Sequence, residues 1–224
     1  MRKEIYLVRG HDDESYTSFS RTITALTNEV RDALQPMGLK YTITESPPPR
    51  RSVIPFSRKK IASISIYKAD DLPVQLLMQH TMCSGAYAVE EALPVSYTKD
   101  WPDGHPTPGA CLLTLFSRKP SINHATFIDR WHNSHTPMSL RFHPLWNYNR
   151  NVVLDQIKSG SIPWEGIVEE QVRTRKELLN PFKFFGNPLV ILPRMVKVYL
   201  DTKSFIDYRT METYLATEYV MHSQ

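Results

Sequence analysis

Cysteine and glycine are scarce in this chain. Cys83 and Cys111 are the only cysteines among 224 residues, too few for a disulfide framework, so a reduced, cytoplasmic compartment is expected. Neither lies in a Cys-x-x-Cys pair or in a Cys/His cluster with zinc-ligand spacing, which argues against a structural metal. The 8 glycines form no phosphate-cradling loop and no Gly-x-Ser-x-Gly elbow, so neither a nucleotide site nor a serine nucleophile at a strained turn is indicated. Long apolar runs are also missing. None approaches the roughly 18 residues of a membrane span, and no membrane partner is expected. The opening Met1–Val8 turns polar too quickly to be a signal peptide. Charge of one sign is not in excess either: 27 Lys and Arg against 23 Asp and Glu leave a net +4. The basic residues concentrate in Arg50-Arg51 and Arg58-Lys59-Lys60, behind Pro47-Pro48-Pro49. Only Phe56 is nearby to stack on a base, so a nucleic-acid partner is not expected and the stretch reads as a solvated loop before a strand.

What the chain does have is hydrophobic residues, 41% of the total, enough for a sizeable core. They fall into two similar patterns separated by Asp100–Gly109, a stretch of turn formers and prolines. The first pattern opens with the apolar run Glu4–Val8. Ser15 follows as a helix cap, then Phe19, Ile23, Leu26 and Val30 at helical spacing. The second opens with Ala110–Phe116, followed by Asn123 as a cap, then Phe127 and Trp131. Leu7 and Leu115, Ser15 and Asn123, and Phe19 and Phe127 are each 108 residues apart. Strands are predicted at Leu39–Thr44, Ile61–Tyr67, Asn151–Leu154, Gly166–Glu169 and Met195–Leu200, with a helix from about Leu72 to Ala92 and a last helix beginning near Ser204-Phe205. The predicted fold is α+β: two ferredoxin-like β-α-β-β-α-β halves, 1–100 and 109–224, joined by the linker 100–109 and packed as a barrel within one chain.

The richest segment is Phe127–Pro137. At about 100° per residue, His135 lies about 20° from Ile128 and about 40° from Trp131 on a helix that Pro137 is predicted to stop. An imidazole is thereby placed on an apolar stripe with Phe127 and Trp131, where it could move protons near neutral pH. Capping of the helix end is the ordinary alternative for such a histidine. His132 flanks the stripe on the other side. A His132-x-x-His135 pair lacks a third ligand in the sequence, so no metal is expected. His143 and Tyr148 follow within reach of the same pocket, and Trp131 could stack on a ligand. Glu169 and Glu170 are neighbours on a strand, so one faces in and the other out, and sequence does not say which.

These residues carry a resemblance. Arg118-Lys119-Pro120, Asn123, Phe127 and Trp131-x-x-x-His135-x-Pro137, then Trp164-Glu165-Gly166-Ile167-Val168-Glu169, then Asp201, Phe205-Ile206-Asp207 and Glu218-Tyr219, together resemble the EthD domain, a branch of the dimeric α+β barrel superfamily. The resemblance covers 109–224 well, Glu4 to Val30 weakly and the rest of the first half hardly at all. It implies a barrel of two ferredoxin-like units, which family members often build by dimerising. It also implies an activity from a varied set: dehydratases and decarboxylases of aromatic polyketides, isomerases, cofactor-free monooxygenases and haem binders. In the first half Ile23 and Thr27 stand where the second has Trp131 and His135, so one pocket per chain is expected, in the second half.

The reading is a small-molecule enzyme without a cofactor. His135 and His132 would be its catalytic groups, and Trp131, His143, Tyr148, Glu169 and Glu170 its substrate contacts. The chemistry would be dehydration, decarboxylation or isomerisation of a hydrophobic, aromatic or polyketide-like substrate. The alternatives are a non-catalytic binder of a hydrophobic ligand or haem, a cofactor-free monooxygenase, and an accessory protein. The other partner to consider is a second copy of the chain in a homodimer.

Overall fold

The computed structural model describes residues 2–69 and 74–223. Its strands are β1 Arg2–Arg9, β2 Gly38–Ile43, β3 Ile61–Lys68, β4 Cys83–Val95, β5 Ala110–Phe116, β6 Leu145–Gln156, β7 Gly166–Val172 and β8 Glu212–His222. All neighbours pair antiparallel, in the order β1-β3-β2-β8-β5-β7-β6-β4, and β4 pairs back onto β1 to close an eight-stranded barrel. Each half of the chain supplies four strands in the same relative order, β4-β1-β3-β2 and β8-β5-β7-β6. The seams are β2 against β8 and β4 against β6. Closure leaves no free sheet edge.

Alternation along the strands sorts the side chains. Ile5, Leu7, Cys111, Leu113, Leu115 and Ile167 point into the barrel and form one apolar cluster with Tyr87 and Tyr214. The same interior holds charge: Lys40 Nζ lies 2.6 Å from Glu169 and 3.0 Å from Glu218, and Lys3 Nζ lies 2.7 Å from Glu91. The outward residues are covered by helices. Helix α1, Tyr16–Leu34, is capped by Ser15 and lays Phe19, Ile23, Leu26 and Val30 on the first half. In the second half the cover is α3 His124–Asp129, a π-helical turn Arg130–His135, α4 Thr136–Phe142, α5 Arg175–Leu179, α6 Pro181–Phe184 and α7 Ile191–Phe205.

Four predicted elements are corrected. The helix expected from about Leu72 to Ala92 is only the single turn α2, Gln75–Met78, followed by β4; Leu72 itself lies outside the described residues. The helix-forming Ala and Glu of β4 are overridden because Tyr87 and Val89 fill the barrel. The strand expected at Met195–Leu200 lies inside α7, whose Val198, Thr202 and Phe205 recur at helical spacing on its inner face. The last helix, expected to begin near Ser204, ends there instead: Ser204 and Phe205 close α7, and the chain goes on to β8, which completes the barrel. Pro137 does not stop its helix: it sits in the first turn of α4, and the chain continues to Phe142. The widened turn before it, with Thr136 N–H bonded to Trp131 O five residues back, makes room for the proline ring, which would clash with a carbonyl in a regular helix.

Candidate functional site

The second-half helices are anchored by an aromatic cluster. Asn123 caps α3, its side chain accepting from Thr126 N at 2.8 Å. This start aims Phe127 and Trp131 at the sheet, where both are buried. The Phe116 ring meets Trp131 edge-on at 4.9 Å between centroids. That ring lies against Gly166, where an added Cβ would come within 2.4 Å of it, so only glycine lets the two strands bring Phe116 under the tryptophan. Arg118 and Glu165 pair at 2.9 Å and tie the strand ends beneath the helix.

Beyond this cluster a cavity of about 540 Å³ lies between the outer face of β5–β8 and the helices, with residues 53–55 of the first half folded across one side. That volume suits a drug-sized molecule. Its walls are mainly apolar: Leu112, Phe116, Val168, Met195, Phe205 and Ile206. The polar groups among them include four singled out in the sequence, His135, His143, Tyr148 and Glu170.

His135 is one. Its Nδ1 is 2.9 Å from Asp201 Oδ2 on α7, and Ser134 Oγ donates to the other carboxylate oxygen at 2.5 Å. Burial pushes the Asp201 pKa up, but the bonds from His135 and Ser134 prevail and hold it below the ordinary carboxylate value. A carboxylate can only accept, so Nδ1 carries the proton and Nε2 presents its lone pair. Ser139 Oγ, on α4, lies 3.1 Å from Nε2 and donates to it. The result is a chain Ser139–His135–Asp201 along the cavity wall.

Glu170 is the second. It faces the cavity, whereas Glu169 faces the barrel interior, bound to Lys40 and to Thr42 Oγ1 at 2.6 Å. Burial raises Glu169, yet Lys40 and Lys3 outweigh it and keep that carboxyl ionised. Glu170 has no such cation. Burial pushes its pKa up to about 7, opposed only by His135, and among the described residues no side chain or backbone group hydrogen-bonds to its carboxyl.

Three more residues of the sequence reading line the cavity: Trp131, His143 and Tyr148. His143 is stacked on Phe184 at 4.1 Å, with Nδ1 3.1 Å from the Phe184 carbonyl. That carbonyl fixes the proton on Nδ1, and burial lowers the pKa to about 4, so the imidazole stays neutral. Trp131 Nε1 donates to Tyr148 Oη at 3.4 Å, and burial holds the phenol well above its ordinary pKa.

His132 is placed elsewhere. It stands edge-on to Trp131 at 5.3 Å and does not line the cavity, and among the described residues its Nε2 has no hydrogen-bond partner. Burial and the neighbouring Arg150 bring its pKa down to about 4. In the first half Ile23 is sealed in a packed core, and Thr27 is bonded back to Ile23 O and Thr24 O. Sequence reasoning missed Ser139 and the role of Asp201. Ser139 is four residues after His135, a helical neighbour visible only if the helix is carried past Pro137. Asp201 could not be placed while its surroundings were read as strand. Among the described residues no group of three or more His, Cys, Asp or Glu is arranged to hold a metal ion, and no helix is long and apolar enough to cross a membrane.

No protein-family model and no curated protein matches the chain. Solved structures do. An anthrone oxidase-like protein superposes with a TM-score of 0.62 at 13% identity, covering 100% of this chain and 92% of its own. A Fusobacterium nucleatum protein named as a monooxygenase gives 0.52 at 12% identity, covering 98% of this chain and 92% of its own. At these identities the likeness is one of fold: the chain shares the closed α+β barrel of both.

Proposed function

We propose that this chain is a small-molecule enzyme that binds a hydrophobic, aromatic or polyketide-like substrate in the second-half cavity and moves a proton with His135. The observation that carries the reading is the orientation of that imidazole. Asp201 holds the proton on Nδ1, which makes Nε2 the acceptor nitrogen on an apolar wall, and a bound substrate takes the place of the hydrogen bond that Ser139 Oγ gives it in the free protein. A substrate C–H or O–H delivered there gives its proton to Nε2, its bonding electrons stay on the substrate, and Asp201 stabilises the imidazolium. Glu170, protonated below about pH 7, is the acid that can return a proton to a leaving or ring atom. Neither step calls on an organic cofactor. Loss of water, loss of carbon dioxide or a shifted double bond then follows from what the substrate carries.

The names of the two structural neighbours favour a second outcome for the same anion, attack on dioxygen, which would serve as the oxidant. The two halves read as ferredoxin-like units, 1–100 and 109–224, by their matched strand order. The Trp131-x-x-x-His135-x-Pro137 segment keeps the EthD-like reading as the proposed kinship.

The test is turnover of an anthrone and hydroxyaryl-ketone panel by wild type and His135→Ala, with substrate binding and oxygen uptake followed separately. Loss of turnover with retained binding supports the reading, and oxygen consumption selects the second outcome. Binding by both proteins with turnover by neither would make the chain a ligand-binding barrel, and a Soret band in the purified protein would make it a haem binder.

A further inference from the structure

The basic loop after Pro47–Pro49 carries none of the polar groups of the site, and the outer face of α7 is exposed. The two lie together. Val53, Ile54 and Pro55 line the cavity from one side, and Leu192, Val196 and Tyr199 of α7 line it from another. Val53, Leu192, Val196 and Tyr199 are also exposed to solvent, so they form the cavity mouth. The loop is fixed there: Ser57 N–H donates to Thr213 O at 2.7 Å, Thr213 Oγ1 donates to Pro55 O at 2.8 Å, and Ile54 and Phe56 pack in one cluster with Phe184, Ile191 and Met195.

Large apolar side chains protrude around this mouth. Leu189 is 88% exposed, Leu192 69% and Leu200 59%, and Phe182 of α6 is exposed as well. At about 100° per residue, Leu192, Val196, Tyr199 and Leu200 fall on one stripe of α7, separate from the stripe of Val198, Thr202 and Phe205 that meets the core. Such a patch on a polar surface marks an interaction site.

The charges around it are mostly basic. Arg50, Arg51, Arg58 and Lys59 on the loop, and Arg175, Lys176, Lys183, Lys197 and Lys203 on the helical side, are exposed. From Arg173 to Arg209 the chain has 8 Lys and Arg and 3 Asp and Glu, a net +5 against +4 for the whole chain. Those three acids are engaged: Asp201 by His135 and Ser134, Asp207 by Arg209, and Glu177 in the α5 capping box.

We propose that this face docks on an anionic lipid surface, with Phe182, Leu189, Leu192 and Leu200 entering the headgroup boundary and the basic loop and α5–α7 lysines meeting lipid phosphates. The cavity then opens toward the bilayer, from which a hydrophobic ligand can enter without crossing water. Exposed apolar side chains ringed by Lys and Arg are the chemistry of a peripheral membrane contact. An isologous contact with a second copy would bring the two basic sets together. The sequence reading excluded a membrane because it found no span, and a surface contact needs none.

Vesicle cosedimentation tests this without reference to turnover, and His135→Ala should bind vesicles as wild type does, so the result stands apart from the proposed chemistry. Binding to phosphatidylcholine mixed with phosphatidylglycerol, weakened by high salt and much poorer with phosphatidylcholine alone, is the result expected. Arg50→Gln with Arg51→Gln should lower the partition coefficient by about fivefold per cation. Leu189→Asp with Leu200→Asp, on exposed positions that leave the unfolding transition unchanged, should abolish it. The proposal is overturned by equal binding to both vesicle types, by no binding to either, or by a solution dimer that the leucine pair breaks in a protein with no vesicle affinity.

Discussion

Glu170→Gln should make the protein more stable at neutral pH and change little in acid. The carboxyl is buried against the cavity with no hydrogen-bond partner among the described residues, so its ionised form has lost hydration and gained little in return. The raised folded-state pKa means that the native protein keeps a proton the unfolded chain gives up. This contribution to stability is complete below about pH 4.5 and is lost as pH rises to about 7. At about 1.4 kcal/mol per pH unit between those limits, the loss is about 3 kcal/mol. Glutamine has the same shape and no charge to desolvate. The stability difference between variant and wild type should therefore grow by about 3 kcal/mol in the variant's favour between about pH 4.5 and 7.5. Urea unfolding followed by tryptophan fluorescence across that range would measure it, and other titrating groups cancel in the difference. A difference independent of pH would refute the claim that Glu170 is held protonated by burial.

Trp131→Ala should cost about 3–5 kcal/mol, because the indole is buried against Phe116 and Phe127 and the fixed sheet cannot close the gap; a loss under about 1 kcal/mol in urea melts would contradict that packing. Lys40→Met should destabilise by a similar 3–5 kcal/mol or so, since Glu169 and Glu218 would be left as buried, under-compensated carboxylates inside the barrel. Its loss should shrink in acid, where the Glu169 carboxylate that Lys40 holds ionised can protonate; a pH-independent loss would assign it to packing. Asp201→Asn should lower kcat by about tenfold or more with KM little changed, because an amide can donate to Nδ1 and turn the imidazole to the wrong tautomer. An unchanged kcat would free Asp201 from that role.

The parts of the fold legible in the sequence were those whose signals are local. Ser15 and Asn123 cap helices because their side chains accept from the amide three residues on, Ser18 N–H and Thr126 N–H, a pattern visible in one dimension. The apolar runs of β1 and β5 announced buried strands. The elements misread were those decided by distant partners. In β4, Ala86, Ala88 and Glu90 favour a helix locally, and pairing with both β1 and β6 overrides them. In α7, the valines and tyrosine of 195–200 look like a strand, and only contact with the sheet selects the helical face. The site divided in the same way. His135, Trp131, His143, Tyr148 and Glu170 were all singled out and all line one cavity. Asp201 and Ser139, which set the tautomer and bond of His135, came into view only when α7 and the continuation past Pro137 were in place. The choice between Glu169 and Glu170 needed the strand's register, which no single sequence supplies.

The central claim is that His135 transfers the proton. Its most direct test is single-turnover kinetics of His135→Ala against wild type on a hydroxyaryl ketone that both proteins bind. The account predicts a chemical step slowed by about 10²–10⁴-fold with the dissociation constant little changed. An unchanged rate in the variant would contradict it.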